Sequence, residues 1–223
     1  AVVEALGSKK VEIAYLNTTT YLMARDKYGV EVHFISINTD GTSNYKGQFI
    51  TRTDSKIKTL HDINGRKMAY VDPTSASGYI LPAFQLKSMN VKPKEEVFAG
   101  RHDAVVAMVY QRQVDAGATY YAIPENGKIM DARHLVEAQF PDVAEKIKII
   151  DFTVPLANDA FVFRKDMPEE IKRKVHDAFL KWAESSEGKI TLKKLSNASG
   201  LRPATHEMYE DSEKIIKSMK SNL

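Results

Sequence analysis

Short apolar runs with strand character alternate with helix-compatible segments along most of this 223-residue chain, and that alternation limits the fold more than any other feature. Residues 11–16 (VEIAYL) read as a strand, and residues 21–28 have helical composition ended by Gly29. β-rich runs at 30–37 and 48–51 flank residues 38–44, a stretch dense in turn-forming Asn, Asp, Gly, Thr and Ser. The pattern continues with a strand at 67–71, a helix at 79–89, a strand at 96–98, a helix at 104–111 and a strand at 114–119. A helix at 132–140 and strands at 146–152 and 161–164 complete it. Such alternation predicts an α/β fold of parallel sheets covered by helices on both faces. Pro82 restricts the helix at 79–89: it is tolerable only within the first turn, which places that N-terminus near residues 75–78.

The remaining quarter of the chain reads as helical. Asp166 is a candidate cap, Pro168 suits a first turn, and Ile171, Val175, Ala178, Phe179 and Trp182 form one apolar face. At the other end, residues 1–6 read as the last turns of a helix stopped by Gly7. No internal repeat or flexible linker separates independent domains, so lobes joined by short strand crossings fit better than beads on a string.

Several function classes find no support. The formal net charge of +3 comes from Lys and Arg scattered over helix faces, which does not favour a nucleic-acid partner. No run approaches the apolar length of a bilayer span. The lack of cysteine excludes thiolate metal sites and disulfides within the chain. There is no GxxxxGK[ST] and no GxGxxG after a strand, and the six histidines are isolated, with no metal-ligand spacing; no cofactor and no metal is expected. His176, among charged neighbours, reads as a solvated surface residue. His102 and Asp103 beside Ser75 or Ser77 invite a catalytic reading, but adjacent residues at a helix start do not make a triad, and no GxSxG elbow is present. The chain is not expected to be an enzyme.

Three times a strand runs into a polar turn where a helix starts: residues 17–20 (NTTT), 72–78 (DPTSASG) and 100–103 (GRHD). In α/β sheets such turns lie at the carboxyl ends of strands, where ligands bind, and their free N–H groups and helix dipoles suit an anion. Ser75 and Ser77 add short hydroxyl donors, and Gly78 lets the main chain come close. The competing reading is that these residues are ordinary helix caps.

The runs YVDPTSASGYILPAFQL, FAGRHDAVVAMVYQRQVDAGATY and VPLANDAFVFRKDMPEEIKRKVHDAFL resemble the phosphonate, phosphite and phosphate binding proteins of ABC importers, the PhnD-like family; VEALGSKKVEIAYLNTTTYLMA and GTSNYKGQFITR resemble its earlier segments. The resemblance spans nearly the whole chain. It implies a type II periplasmic-binding-protein fold, with lobe I from residues 1–52 and 155–223, lobe II from 53–154, two crossing strands, and a small phosphorus oxyanion enclosed in the cleft. It implies an ABC permease in the membrane as partner, and a location that is periplasmic or lipid-anchored at the outer face of the cytoplasmic membrane. Family members begin with a further strand that precedes Ala1 here, so lobe I is expected to be N-terminally incomplete. A ligand-sensing domain or an enzyme of the same fold are the alternatives.

Carried over residue by residue, the resemblance puts Ser75 and Ser77 on the phosphoryl oxygens with Thr74 adjacent. Tyr45 would close over the ligand, His102 would donate to an oxygen, and Asp159 would face a P–OH or an ammonium. Ala76 stands where the family often has a hydroxyl residue. Thr18, Thr19, Thr20, Tyr120 and Tyr121 rank below these as contributors to the cleft wall.

Overall fold

The alternating segments condense into two separate sheets. In a computed structural model, which describes residues 1–220 and side chains over residues 1–218, the strands in chain order are β1 (Ile13–Leu16), β2 (Glu31–Ile37), β3 (Asn44–Arg52), β4 (Lys67–Tyr70), β5 (Glu95–Phe98), β6 (Ala116–Tyr121), β7 (Ile147–Phe152), β8 (Leu156–Ala157), β9 (Ala160–Phe163) and β10 (Gly200–Pro203). The α-helices are α1 (Val2–Gly7), α2 (Thr18–Tyr28), α3 (Leu81–Ser88), α4 (His102–Tyr110), α5 (Val143–Lys146), α6 (Glu169–Glu184), α7 (Ser186–Ser196) and α8 (Glu210–Lys220). One compact unit takes in Ala1–Asn44 and Leu156–Lys217, and the other Tyr45–Pro155.

In the first unit the sheet order is β1-β9-β2-β10. The expectation of parallel sheets fails here, because every pairing is antiparallel: Ile13 faces Phe163 and Leu16 faces Ala160 on one side of β9, Glu31 faces Phe163 on the other, and Gly200 faces Ile37. The physical reason is the slot left between β1 and β2 by their crossover helix α2. The later strand β9 fills it running the opposite way, and all four of its residues are buried, as a strand covered on both faces requires.

Helix α2 begins three residues earlier than its composition indicates, because the Asn17 side chain caps it by accepting the Thr20 N–H at 2.9 Å. It ends at Gly29 in the left-handed conformation. Gly7 closes α1 as its last residue, ahead of the Ser8 cap, and a Cβ there would sit 2.3 Å from the Tyr28 ring. That bare Cα lets α1 and α2 meet, with the Tyr28 hydroxyl donating to Glu4 at 2.6 Å and Lys27 pairing with the same carboxylate at 2.7 Å.

Helix α6 packs on the first sheet with most of the expected face, Val175, Phe179 and Trp182, but not all of it. Ile171 and Ala178 are exposed, whereas Lys172 is buried and Val175, His176, Phe179 and Trp182 are half-buried. The cost of burying Lys172 is met by three acceptors: Glu31 at 2.7 Å, Glu169 at 2.9 Å and the Lys165 carbonyl at 2.9 Å. His176 is likewise not a solvated residue, since its ring stacks on Phe34 at 4.5 Å. Asp166 does not cap α6; it pairs with Lys9 and Arg164, and Pro168 takes the cap position.

The second unit is a mixed sheet of order β5-β4-β6-β3-β7. The strands β5, β4 and β6 are parallel, with Lys67 opposite Glu95 and Met68 opposite Ala116, and β3 runs antiparallel to β6 and β7. One face buries Val105, Val106 and Val109 of α4 with Ala132, Val136 and Val143; the other buries Leu60, Ile63, Leu86 and Val91. The helix expected at 132–140 is only a 3₁₀ turn, Ala132–Val136, and α5 follows beyond Pro141.

The α1–α2 junction gives a direct test. Gly7→Ala is expected to destabilise the protein by about 1–3 kcal/mol through overpacking. In a Tyr28→Ala background the same change costs less than half as much, as measured by urea denaturation of the four variants.

Candidate functional site

The carboxyl ends of the parallel strands in the second unit carry the densest set of uncommitted donors. After β4, Asp72 organises the turn: its Oδ1 accepts the Thr74 N–H at 2.8 Å and the Thr74 hydroxyl at 2.5 Å. Thr74 is exposed and its hydroxyl proton is thus engaged, so what it supplies directly is turn geometry. Ser75 caps the following helix by accepting the Gly78 N–H at 3.1 Å, which leaves its own proton free to donate. The helix opens as a π turn, Ala76–Ile80, whose first internal bonds run from Tyr79 and Ile80 to the Ser75 carbonyl. Among the described residues the N–H groups of Ala76 and Ser77 therefore have no backbone acceptor. Ser77 is buried, and no side-chain hydrogen bond among the described residues engages its Oγ.

Two glycines make this packing possible. A Cβ on Gly78 would lie 2.4 Å from the Val71 side chain, and a Cβ on Gly47 of β3 would lie 2.7 Å from the Ser77 carbonyl. The serine turn is seated against bare main chain on both sides.

His102, the first residue of α4, stands on the neighbouring turn. The Gly100 N–H donates to the Val71 carbonyl at 2.7 Å, which fixes the β5–α4 turn beside the β4 end. The backbone N–H of Tyr120, at the end of β6, donates to His102 Nδ1 at 3.3 Å, and the two rings meet edge to face at 4.9 Å. Burial pushes the imidazole down to about 4, against smaller opposing pulls from Asp72 and Asp103. With Nδ1 accepting and the ring neutral, the proton sits on Nε2, which is a donor without a charge. The first intrahelical bond of α4 runs from Val105 to the Arg101 carbonyl, so the N–H groups of residues 102–104 precede the ladder. Arg101 is occupied by a bidentate pair with Asp103. Tyr121 pairs instead with Phe152 at 4.8 Å, and Tyr45 stands half-buried near the start of β3.

The first unit holds a second polar group. The Thr18 hydroxyl donates to the Ala157 carbonyl at 2.5 Å, while the Thr19 hydroxyl at the start of α2 is buried with no partner among the described residues. Asp159, between β8 and β9, has its carboxyl raised to about 6 by burial, with a hydrogen bond from Tyr15 working in the other direction. The Tyr15 hydroxyl also lies 3.1 Å from Ser36 Oγ. Tyr15 and the π turn that directs the N–H groups at 76 and 77 are what sequence reasoning missed. The tyrosine looks like any strand aromatic, and the amides depend on a π turn that no local pattern announces. Among the described residues no group of three His, Asp or Glu side chains is placed to hold a metal ion.

Residues 1–209 match the family model described as the phosphonate periplasmic substrate-binding protein of ABC transporters. The phosphonates-binding periplasmic protein of Escherichia coli K12 is 25% identical over 202 residues, covering 87% of this chain and 57% of that protein. The phosphate-import protein PhnD of Mycolicibacterium smegmatis is 28% identical over 172 residues, covering 71% of this chain and 53% of that protein. The chain thus spans little more than half the length of these curated relatives. A binding-protein component of an ABC phosphonate transporter from Pseudomonas aeruginosa superposes with a TM-score of 0.79 at 21% identity, over 98% of this chain and 72% of that one. The fold is that of type II periplasmic binding proteins, and with its family match over residues 1–209 the chain belongs to the periplasmic phosphonate-binding proteins of ABC transporters.

Proposed function

We propose that this protein captures a small phosphorus oxyanion, a phosphonate, phosphite or phosphate, and delivers it to an ABC permease from the outer side of the cytoplasmic membrane, either free in the periplasm or lipid-anchored. The observation that carries the reading is the set of neutral donors at the carboxyl ends of β4 and β5: Ser75 Oγ, Ser77 Oγ, the N–H groups of Ala76 and Ser77, and His102 Nε2. A tetrahedral oxyanion needs many short donors, and the start of each helix adds roughly half a positive charge. At residue 76, where the family often has a hydroxyl, the main-chain N–H supplies the donor. Tyr45 and Thr74 complete the proposed set around this turn.

Asp159 is proposed as the group that reads the ligand's proton. With its carboxyl near 6, it either donates to a fully ionised oxygen or accepts from a P–OH, and in both cases one proton is shared between protein and ligand. Above that range a bare carboxylate faces a doubly charged ligand and repels it.

Calorimetry with methylphosphonate, 2-aminoethylphosphonate, phosphite and phosphate should show at least one binding at about 1 μM or tighter, roughly −8 kcal/mol. Ser77→Ala is expected to weaken every anion that binds, by about 10- to 100-fold, the worth of a hydrogen bond to a charged acceptor. Heat from none of the four would end the reading.

A second test uses Asp159. Its folded-state value is raised from 3.8 to about 6, so its contribution to stability is full below 3.8 and lost as pH rises through 6. Asp159→Asn should therefore raise the thermal midpoint at pH 8, by a stability gain of up to about 3 kcal/mol, and leave it unchanged at pH 3.5. The same variant should remove the part of the affinity loss above pH 6 that does not come from the ligand's own ionisation.

A further inference from the structure

Pro82 lacks the N–H that an α-helix would direct at the Gly78 carbonyl four residues back, and in α geometry its ring would collide with that carbonyl. The helix avoids the conflict by opening as a π turn: the Ile80 N–H reaches the Ser75 carbonyl at 2.9 Å, and the Leu81 N–H reaches that of Ala76. The released Gly78 carbonyl turns to the end of β4 and accepts the Val71 N–H at 3.1 Å. The next carbonyl back, that of Ser77, is seated against Gly47, where a Cβ would come within 2.7 Å. The carbonyls of Ser77 and Gly78 thus face the sheet, while the N–H groups of Gly78 and Tyr79 are held by the Ser75 hydroxyl and carbonyl at the helix start.

We infer that Pro82 is a positioning residue for the serine turn: by forbidding the α register it makes the sheet, through Val71 and Gly47, set where the Ser77 hydroxyl and the Ala76 and Ser77 N–H groups stand. The inference rests on the proposed oxyanion function for its consequence, and on the hydrogen-bond pattern alone for its structural half. In Pro82→Ala the N–H restored at position 82 competes with Val71 for the Gly78 carbonyl. The turn tightens toward 3.6 residues per turn, and the donors at 76 and 77 rotate away from their present directions. A proline that served only to stiffen the helix would do none of this, and its loss would show as lowered stability.

The experiment compares the wild type with Pro82→Ala by three readouts. Amide hydrogen exchange should find the Val71 N–H at least ten times faster in the variant. Calorimetry with methylphosphonate, 2-aminoethylphosphonate, phosphite and phosphate should find affinity lowered at least tenfold for whichever anion binds the wild type most tightly. The thermal midpoint of the free variant should equal or exceed that of the wild type, since a helix hydrogen bond is gained. Unchanged Val71 exchange, unchanged affinity, or affinity and midpoint falling together would each overturn the inference. If no anion binds the wild type, the proposed function fails by itself, and Val71 exchange then decides the role of Pro82.

Discussion

The hydrogen bond from the Val71 N–H to the Gly78 carbonyl is the contact on which the second unit's polar edge depends. It folds the chain back on itself within eight residues of a strand end and can form only because position 78 has no Cβ to meet Val71. Everything that gives the turn chemical character follows from that closure. Ser75 is left at the cap, Ser77 is buried with its hydroxyl uncommitted, and two N–H groups point out of the ladder. The bond from Gly100 to the Val71 carbonyl then brings the His102 turn alongside, so the one residue that follows β4 anchors two helix starts through its two main-chain groups.

Charge is distributed around this edge in an economical way. Among the described residues no lysine or arginine donates to the serine turn, and Arg101, on the neighbouring turn, is paired with Asp103. His102 is held neutral by burial, so it donates without adding charge. On the proposed reading, a site made of dipoles and hydroxyls would hold an anion by direction and shape, and its donors would need no reorganisation when a ligand arrives. Long cationic side chains would attract any anion and lose rotamer freedom in doing so.

The parts of the fold that rest on local pattern were legible in the sequence. Strand–helix alternation, the helix end at Gly29 and the three polar turns all stand, because hydrophobic period and turn chemistry are local properties. What depended on distant partners was not. Lys172 replaces Ile171 on the buried face of α6 because Glu31, 141 residues away in sequence, supplies a carboxylate. The antiparallel first sheet follows from β9 entering a slot that β1 and β2 leave open, which no window of sequence shows. The candidate site divides the same way. Ser75, Ser77 and His102 are visible as residue types at helix starts, whereas the tautomer of His102 is set by the Tyr120 N–H on another strand. The carboxyl of Asp159 is raised by an environment that its neighbours in sequence do not predict.

That last pair of groups bears on selectivity. Burial moves His102 down and Asp159 up, both for the same reason: desolvation disfavours whichever form is ionised. On the proposed reading, the protein offers donors of fixed protonation at the serine turn and one acid that titrates close to neutrality. A sulfonate carries no proton to share, so against an ionised Asp159 it would meet a carboxylate with nothing between them. A phosphonate or phosphate can supply that proton itself, and its affinity then survives at a pH where the sulfonate's does not. On that reading, discrimination between two tetrahedral anions of similar size would fall to the acid, because hydroxyls and amides that read shape and direction cannot tell them apart.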